Sequence, residues 1–417
     1  MNTPNSEITV EITALGNRVG GISAGPNRKT VFVRGALPGE TVRCRTNRIR
    51  KNIVEADLME ILEESPNRTR PFCGYFGECG GCSLQNLAYS RQLFWKRNWA
   101  TKALARAGIE YADELMKDVI PSPATEGYRN RVSFDIVNGK PGLHRPGGDT
   151  MNVDGCPLLN RRGQKAFGRL LEEQLDGIGR VSVRASDRTG ESMLEFSHSP
   201  AQGISSRCDT DIFAWKENDR WKVDPPGSAF HEISGGFTYT ARPGMFFQVN
   251  TECADIIISI VTGLCRGNRK ILDLYGGCGT FSLPLASNGA EVTSVELNPD
   301  SSISGREAAE LSGTKGISFL TSRTRHFLLD TVRAKQKWDT VIVDPPRAGL
   351  GIRVARLLRR VASERIVYVS CNPFSLARDL KVICEGNWAV AGLQPVDMFP
   401  QTDHVETVVT LMRKEDR

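Results

Sequence analysis

The chain has no long hydrophobic run. Across 417 residues the longest apolar stretch lies around Ile256 to Val261, far short of the roughly 20 residues a membrane-spanning helix needs. Its first residues, MNTPNSEITVEI, lack the basic start and apolar core of an export signal. Both absences lead to the expectation of a cytoplasmic protein with no membrane partner. No internal repeat and no low-complexity tract is present, which excludes solenoid and linker-dominated architectures. Strong net charge is missing too. The formal value is +6, so the placement of the cations matters more than their sum. With 40% apolar and 24% charged residues the composition is that of an ordinary globular protein, long enough for two or three domains.

Against that background a few local concentrations stand out. Residues 43–51, RCRTNRIRK, carry Arg43, Arg45, Arg48, Arg50 and Lys51 with no acid. A second group is Arg353, Arg356, Arg359 and Arg360. Such clusters suit a polyanion; the plainer reading is two solvated faces. The 11 cysteines are an odd number in a large chain with no export signal, which argues against a disulfide framework. Metal binding and catalysis remain for those that cluster, as in CGYFGECGGC at residues 73–82.

The grammar of the chain changes along its length. Residues 6–62 alternate apolar and polar positions in short runs, punctuated at Gly20-Gly21 and Pro38-Gly39, as in a small all-β barrel. Pro66 to Pro71 breaks the pattern, and a helix is expected from about Leu84 to Ala107, ending at Gly108. Residues 125–238 again read as strands. From Phe246 onward, apolar strands alternate with helical segments: KILDL, AEVTSVEL, GISFL, DTVIVD, RIVYVS and VETVVTLM. That alternation predicts an α/β fold with a mostly parallel sheet, whose ligands sit beyond the carboxyl ends of the strands.

The residues at those ends carry chemistry. After KILDL comes YGGCGTFSLPLA, where Gly276, Gly277 and Gly279 permit a tight turn and close approach to a ligand. The spacing is not G-x-G-x-x-G and no P-loop lysine is present, so a dinucleotide or triphosphate is not indicated. The next strand ends in Glu296, placed to accept hydrogen bonds from two ribose hydroxyls. Glycine loop and acid together suit an adenosine-type cofactor; the alternative is a glycine turn with a surface glutamate. Further on, DTVIVD runs into DPPRAGLG, RIVYVS runs into Cys371, and Glu406 enters the last strand. A thiolate and a carboxylate are what alkylation of carbon 5 of a uracil requires. Thiolate addition at carbon 6 makes carbon 5 nucleophilic, and a base must later take the carbon 5 proton. Alternatively, Cys371 is an inert buried thiol and Glu406 a surface carboxylate. The free thiol pKa of about 8.5 would have to fall, and Arg347 is a candidate to lower it.

DPPRAGL, IVYVSCNPFSLARDL and DMFPQTDHVE, together with GMFFQVN and DLYGGCGTF, resemble the RNA 5-methyluridine methyltransferase family across the C-terminal half. The resemblance implies that Cys371 is the nucleophile and Glu406 the proton-abstracting base. It implies S-adenosylmethionine contacts by Gln248, Tyr275, Thr280, Glu296 and Asp344. Two departures exist. Ser375 stands where the family often has threonine, and FLTSRTRHFL offers Ser322 and Arg323 where an Asp or Asn near the adenine is usual. The N-terminal stretch is similar to a TRAM domain, an OB-like RNA-binding barrel. In the large-subunit ribosomal RNA enzymes of the family that barrel accompanies a [4Fe-4S] cluster, which implies Cys73, Cys79, Cys82 and Cys156 as its ligands. A C-x5-C-x2-C run with a remote fourth thiol suits a cubane; zinc is the alternative, although its sites more often come as two close pairs.

The expected architecture is thus α/β. It has a class I Rossmann-like methyltransferase domain over 239–417, a TRAM-like barrel over 1–63, and a central β-rich iron–sulfur domain over 64–238, whose helical segment at about 84–120 packs on the catalytic domain. The expected partner is RNA, 23S ribosomal RNA first and transfer RNA second, with no obligate protein partner. Phe246 and Phe247 are candidates to stack on a flipped base; Tyr128, Arg129, Arg131 and the 43–51 cluster are candidates for phosphate contacts. A non-catalytic RNA-binding protein is the reading from another class, and a cytosine methyltransferase the rival within enzymes.

Overall fold

The structure, a computed structural model, describes residues 5–17, 20–25, 29–173, 175–199 and 210–414. It forms two compact units: Met1–Trp99 with His144–Asp149 and Gln401–Asp403, and the remainder, Ala100–Leu143, Thr150–Pro400 and His404–Arg417. No helix among the described residues is long and apolar enough to cross a membrane.

The first unit holds β1 (Glu7–Glu11), β2 (Ala14–Gly16), β3 (Gly20–Ala24), β4 (Thr30–Arg34), β5 (Thr41–Ile49) and β6 (Ile53–Glu63). They form one sheet in the order β1-β5-β6-β4-β3-β2, antiparallel except for the parallel β4–β6 pair. Period-2 alternation makes it two-faced. In β5, Val42, Cys44 and Thr46 point inward while Arg43 and Arg45 point to solvent. The inner face joins Val10, Ile12, Val31 and Val33 in one core. The basic run is partly neutralised across the strands: Arg43 pairs with Glu60 and Arg45 with Glu7. Arg48, Arg50 and Lys51 are exposed, with no ion pair among the described residues. Helix α1 (Tyr89–Arg106) begins five residues later than the pattern predicted. Leu84 and Leu87 are instead buried in the preceding turns with Leu15, Leu37, Trp95 and Trp99.

The second unit opens with α2 (Ala112–Leu115) and an antiparallel-rich sheet. Its strands are β7 (Arg131–Val137), β8 (Lys140–His144), β9 (Thr150–Asn152), β10 (Arg180–Ala185), β11 (Ser192–Phe196), β12 (Ile212–Glu217) and β13 (Arg220–Asp224), in the order β13-β12-β11-β10-β7-β8-β9. Helix α3 (Arg161–Leu170) lays Phe167 on Phe134, with ring centroids 4.3 Å apart. The hairpin β14 (Phe230–Ser234) and β15 (Phe237–Ala241) follows.

The alternating part then runs α4 (Thr251–Leu264), β16 (Lys270–Leu274), α5 (Ser282–Ser287), β17 (Glu291–Glu296), α6 (Pro299–Ser312), β18 (Ile317–Thr321), α7 (Thr324–Arg333), β19 (Trp338–Val343), α8 (Gly351–Val361), β20 (Ala362–Ser370), α9 (Pro373–Cys384), β21 (Trp388–Val396) and β22 (Glu406–Arg413). The sheet order is β18-β17-β16-β19-β20-β22-β21. The first five strands are parallel, and β22 inserts antiparallel to both neighbours. The strands are apolar on both faces because helices cover both. Leu272, Leu274, Val341, Val343, Ile366 and Tyr368 enter one core, which also takes in Ala100 and Leu104 of α1. Ile271, Ile342, Val367 and Val369 enter the other.

In the first unit a buried ion pair ties the segment after the sheet to it. Glu40 is fully buried and accepts the Leu37 N–H at 2.8 Å. Arg68 reaches both its oxygens, at 2.5 and 3.0 Å, and donates to the Gly35 carbonyl at 2.7 Å. Breaking such a pair strands the remaining charge. We therefore expect Arg68→Ala to cost about 3 kcal/mol in denaturant unfolding, and a loss no larger than that of an exposed pair such as Arg45–Glu7 would refute the assignment.

Candidate active site

Strand register sets the site. Leu274 of β16 pairs with Val295 of β17 and Val343 of β19, and Val343 pairs with Tyr368 of β20. The next residues, Tyr275, Glu296 and Asp344, therefore leave three adjacent strands at one level. On the other side of β20, Ser370 pairs with Thr407 of β22. Cys371 thus leaves its strand opposite the point where Glu406 enters the sheet. Residues up to 131 positions apart, Tyr275 to Glu406, meet along one sheet edge.

At the left of that row lies the glycine loop. Tyr275 adopts φ 61, and Gly277 and Gly279 have φ 56 and 83, so the chain turns sharply off β16. A Cβ on Gly276 would lie 2.2 Å from the Ser294 hydroxyl and 3.1 Å from Asp273 Oδ2, so a side chain there would displace both groups. The Glu296 carboxylate is oriented by the Gly277 N–H at 3.2 Å and the Asn298 N–H at 2.8 Å. Beneath the loop, Asp273 is fully buried. Its Oδ2 accepts the Ser282 hydroxyl at 2.6 Å, while Oδ1 has no partner among the described residues. Burial, with Glu296 nearby, pushes its carboxyl up to about 7. An oriented glutamate, a glycine loop crowded at Gly276 and a buried acid with one unpartnered oxygen fit an adenosine-type group with cationic character. Asp273 escaped the sequence reading, although an acid closing a strand just before the glycine loop was a usable signal. So did Leu297, which is 60% exposed directly after Glu296 and gives that edge an apolar surface.

Gln248 and Thr280 line a common pocket with Ala254, Ile257, Phe281 and Met398. The loop that carries Gln248 is fastened from below. Asn130 donates its side-chain amide to the Gln248 carbonyl at 3.0 Å and its N–H to the Val249 carbonyl at 2.8 Å. Buried Arg184 donates to the Met245 carbonyl, and Glu195 accepts the Gly244 N–H at 3.0 Å. On that loop Phe246 is 69% exposed, whereas Phe247 is buried against Tyr239 at 5.6 Å. Only Phe246 is available for stacking on a base. Tyr128 turns out to be internal, its hydroxyl donating to the Pro400 carbonyl at 3.0 Å, and Arg131 is partly exposed but already paired with Glu195.

At the right of the row, Cys371 is half-buried and Glu406 buried. Burial raises the Cys371 thiol to about 11, the Glu406 and Asp344 carboxylates add to the rise, and Arg347 opposes it by charge and a hydrogen bond. Glu406 is itself pushed well above the usual carboxylate range by burial and then by Asp344, again opposed by Arg347. Burial and Asp273 carry Asp344 up to about 7. The structure thus gathers a thiol, two carboxylates and one cation that acts on both ends of the set. Arg347 lies against His404, with Nη2 to Nε2 at 2.5 Å.

The cysteine cluster belongs to the first unit. Cys73, Cys79 and Cys82 are partly exposed, in a run of turns. The Gly81 N–H points at Cys79 Sγ at 3.4 Å. Among the described residues no group of three or more His, Cys, Asp or Glu side chains is gathered to hold a metal. Cys156 is a partly exposed cysteine of the second unit.

Residues 232–414 match the tRNA (Uracil-5-)-methyltransferase family and residues 2–59 the TRAM domain. An uncharacterized RNA methyltransferase of Gloeobacter violaceus is 31% identical, covering 97% of this chain and 96% of the relative. The chain belongs to the RNA uracil-5-methyltransferase family. An uncharacterized RNA methyltransferase of Synechocystis is 29% identical over 97% of this chain and 96% of that one. The crystal structure of the Pyrococcus abyssi tRNA (uracil-54, C5)-methyltransferase with S-adenosyl-L-homocysteine superposes with a TM-score of 0.78 at 28% identity, covering 97% of this chain and 99% of that one. This methyltransferase therefore carries an S-adenosylmethionine-dependent fold with an N-terminal TRAM domain.

The electrostatics of Cys371 make a measurable statement. Alkylation of the resting enzyme by iodoacetamide, followed at the Cys371 peptide by mass spectrometry, should have a pH midpoint above the ~8.5 of a free thiol. Arg347 stabilises the thiolate, so Arg347→Ala should move the midpoint higher still. An unchanged profile would remove Arg347 from the site.

Proposed function

We propose that this enzyme methylates carbon 5 of a uridine in folded RNA through a covalent bond to Cys371. The observation that carries this reading is the placement of Cys371 opposite Glu406 at the end of the cofactor row. Gln248, Tyr275, Thr280, Glu296 and Asp344 are the proposed contacts for S-adenosylmethionine, which supplies an electrophilic methyl on a cationic sulfur. The Cys371 thiolate adds to carbon 6, and the ring electrons shift to make carbon 5 nucleophilic. After methyl transfer, Glu406 takes the carbon 5 proton, the ring double bond re-forms, and the carbon–sulfur bond breaks to release the thiolate. A raised carboxyl pKa makes Glu406 a stronger base once ionised, and Arg347 favours the ionised forms of both groups. Phe246 is the aromatic platform proposed to hold the RNA beside the flipped base.

For the RNA itself, the TRAM-like barrel and the cysteine set support large-subunit ribosomal RNA. A second reading, transfer RNA, is favoured by the substrate of the Pyrococcus abyssi enzyme. Nucleoside mass spectrometry with site mapping, on both RNAs from cells with and without the gene, tests the two together. Loss of 5-methyluridine at a large-subunit site that Cys371→Ala cannot restore is the expected result. Loss confined to transfer RNA would keep the chemistry and replace the substrate, and no loss in either would overturn the function.

Cys73, Cys79, Cys82 and Cys156 are proposed as ligands of a [4Fe-4S] cluster. The donor chemistry fits: all four are cysteines at least partly open to solvent, and an N–H aimed at Cys79 Sγ suits a thiolate. Cys156 enters on the sequence resemblance alone. The cluster is assigned a structural role and no part in the methyl transfer. Protein purified without oxygen should absorb near ~400 nm and lose that band in Cys79→Ala. A colourless protein with stoichiometric zinc would overturn the cluster.

A further inference from the structure

The proposed mechanism uses Asp344 and Arg347, which lie in the first part of a seven-residue connection, 344–350, between β19 and α8. Two prolines stiffen its beginning, but stiffness alone does not aim a side chain. The other end of the connection is held by one buried carboxylate. Asp379, on α9, is fully buried. Its Oδ2 accepts the Leu350 N–H at 2.6 Å and the Tyr368 hydroxyl at 2.9 Å. Its Oδ1 accepts the Gly351 N–H at 3.3 Å and the Arg378 Nε–H at 3.1 Å. Arg378 in turn donates to the Ala348 carbonyl at 2.6 Å, and Asn372 donates to the Arg347 carbonyl at 3.1 Å. Loop and carboxylate are packed without slack: a Cβ on Gly349, which has φ +77, would lie 2.3 Å from Asp379 Oδ2.

We propose that Asp379 is a positioning residue for the methyl transfer, clamping the loop that carries Asp344 and Arg347 onto the helix that starts behind Cys371. The nucleophile lies two residues before α9 and the groups that tune it lie on the clamped loop, so the clamp joins the two halves of the reacting constellation. Asp379 touches no reacting atom. It acts by satisfying buried donors that would otherwise let the loop move. This inference rests on the roles proposed for Cys371 and Arg347.

The test compares Asp379→Asn with Arg378→Ala in the full-length protein. Arg378 is half exposed, so its removal loosens the clamp without threatening the core. An amide at position 379 presents an N–H to donors that need an acceptor. In Asp379→Asn, kcat should fall roughly tenfold to a hundredfold, while S-adenosylmethionine and RNA affinities stay within about threefold. The pH midpoint of Cys371 alkylation should rise in the same protein, because Arg347 is no longer held beside the thiol. Arg378→Ala should show both changes in smaller measure, and serves if Asp379→Asn does not fold. A folded Asp379→Asn with unchanged kcat and midpoint would overturn the proposal. So would a loss of kcat that merely follows the melting temperature, or an Arg378→Ala protein unchanged in both. Alkylation needs no RNA, so wild-type protein that makes no 5-methyluridine would sink the functional reading and leave the clamp still open to test.

Discussion

The site depends on one strand running the wrong way. Five parallel strands deliver their carboxyl ends to one edge, as any doubly wound sheet does. β22 inserts between β20 and β21 in the opposite direction, so its first residue, not its last, arrives at that edge. Register then decides which residue faces Cys371. With Ser370 opposite Thr407, it is Glu406. A one-residue slip would turn every side chain of β22 to the other face, and the two cores packed on Val408, Val409 and Leu411 hold it against that. Hydrophobic burial along the strand is thus what aligns a thiol and a carboxylate.

Burial that fixes the register also sets the chemistry. Asp273, Asp344, Glu406 and Cys371 all resist ionisation, because few dipoles replace the water they have lost. Three carboxyls and a thiol in such a space cannot all be charged together, and Arg347 offsets only part of the repulsion. A cationic ligand at the glycine loop would relieve the rest, which links occupancy of that loop to the protonation of the groups beside it. Perturbed groups of this kind, aimed at one edge of a sheet, are what a reacting site requires and what a stability-optimised core avoids.

A second layer of buried polar groups holds the loops that bear the site. Asn130, just before β7, with Arg184 of β10 and Glu195 of β11, fastens the 244–250 loop, and Asp379 fastens the 344–350 loop from α9. Each is buried, and each spends at least one hydrogen bond on a backbone group of one of these loops. None of them looked functional in the sequence. An Asn, an Arg or an Asp in a strand or helix carries no mark that its partner is a carbonyl or an N–H more than twenty residues away.

Much of the site was legible before any coordinates. Alternating strands and helices after Phe246, the glycine loop, Glu296, Asp344, Cys371 and Glu406 all sit where the pattern placed them, because period and strand ends are local properties. The basic run at 43–51 misled in part. Its composition showed five cations and no acid, yet Glu60 and Glu7 arrive from neighbouring strands to neutralise two of them. Phe246 and Phe247 were equivalent on paper, and only packing showed one at the surface and the other in the core. The sequence by itself determined which residues could react and at which strand ends they would lie, since both follow from residue type and from hydrophobic period. Tertiary structure alone decided which of them meet, which are stripped of water and which charges are already spoken for, because those depend on register and packing between segments far apart in the chain.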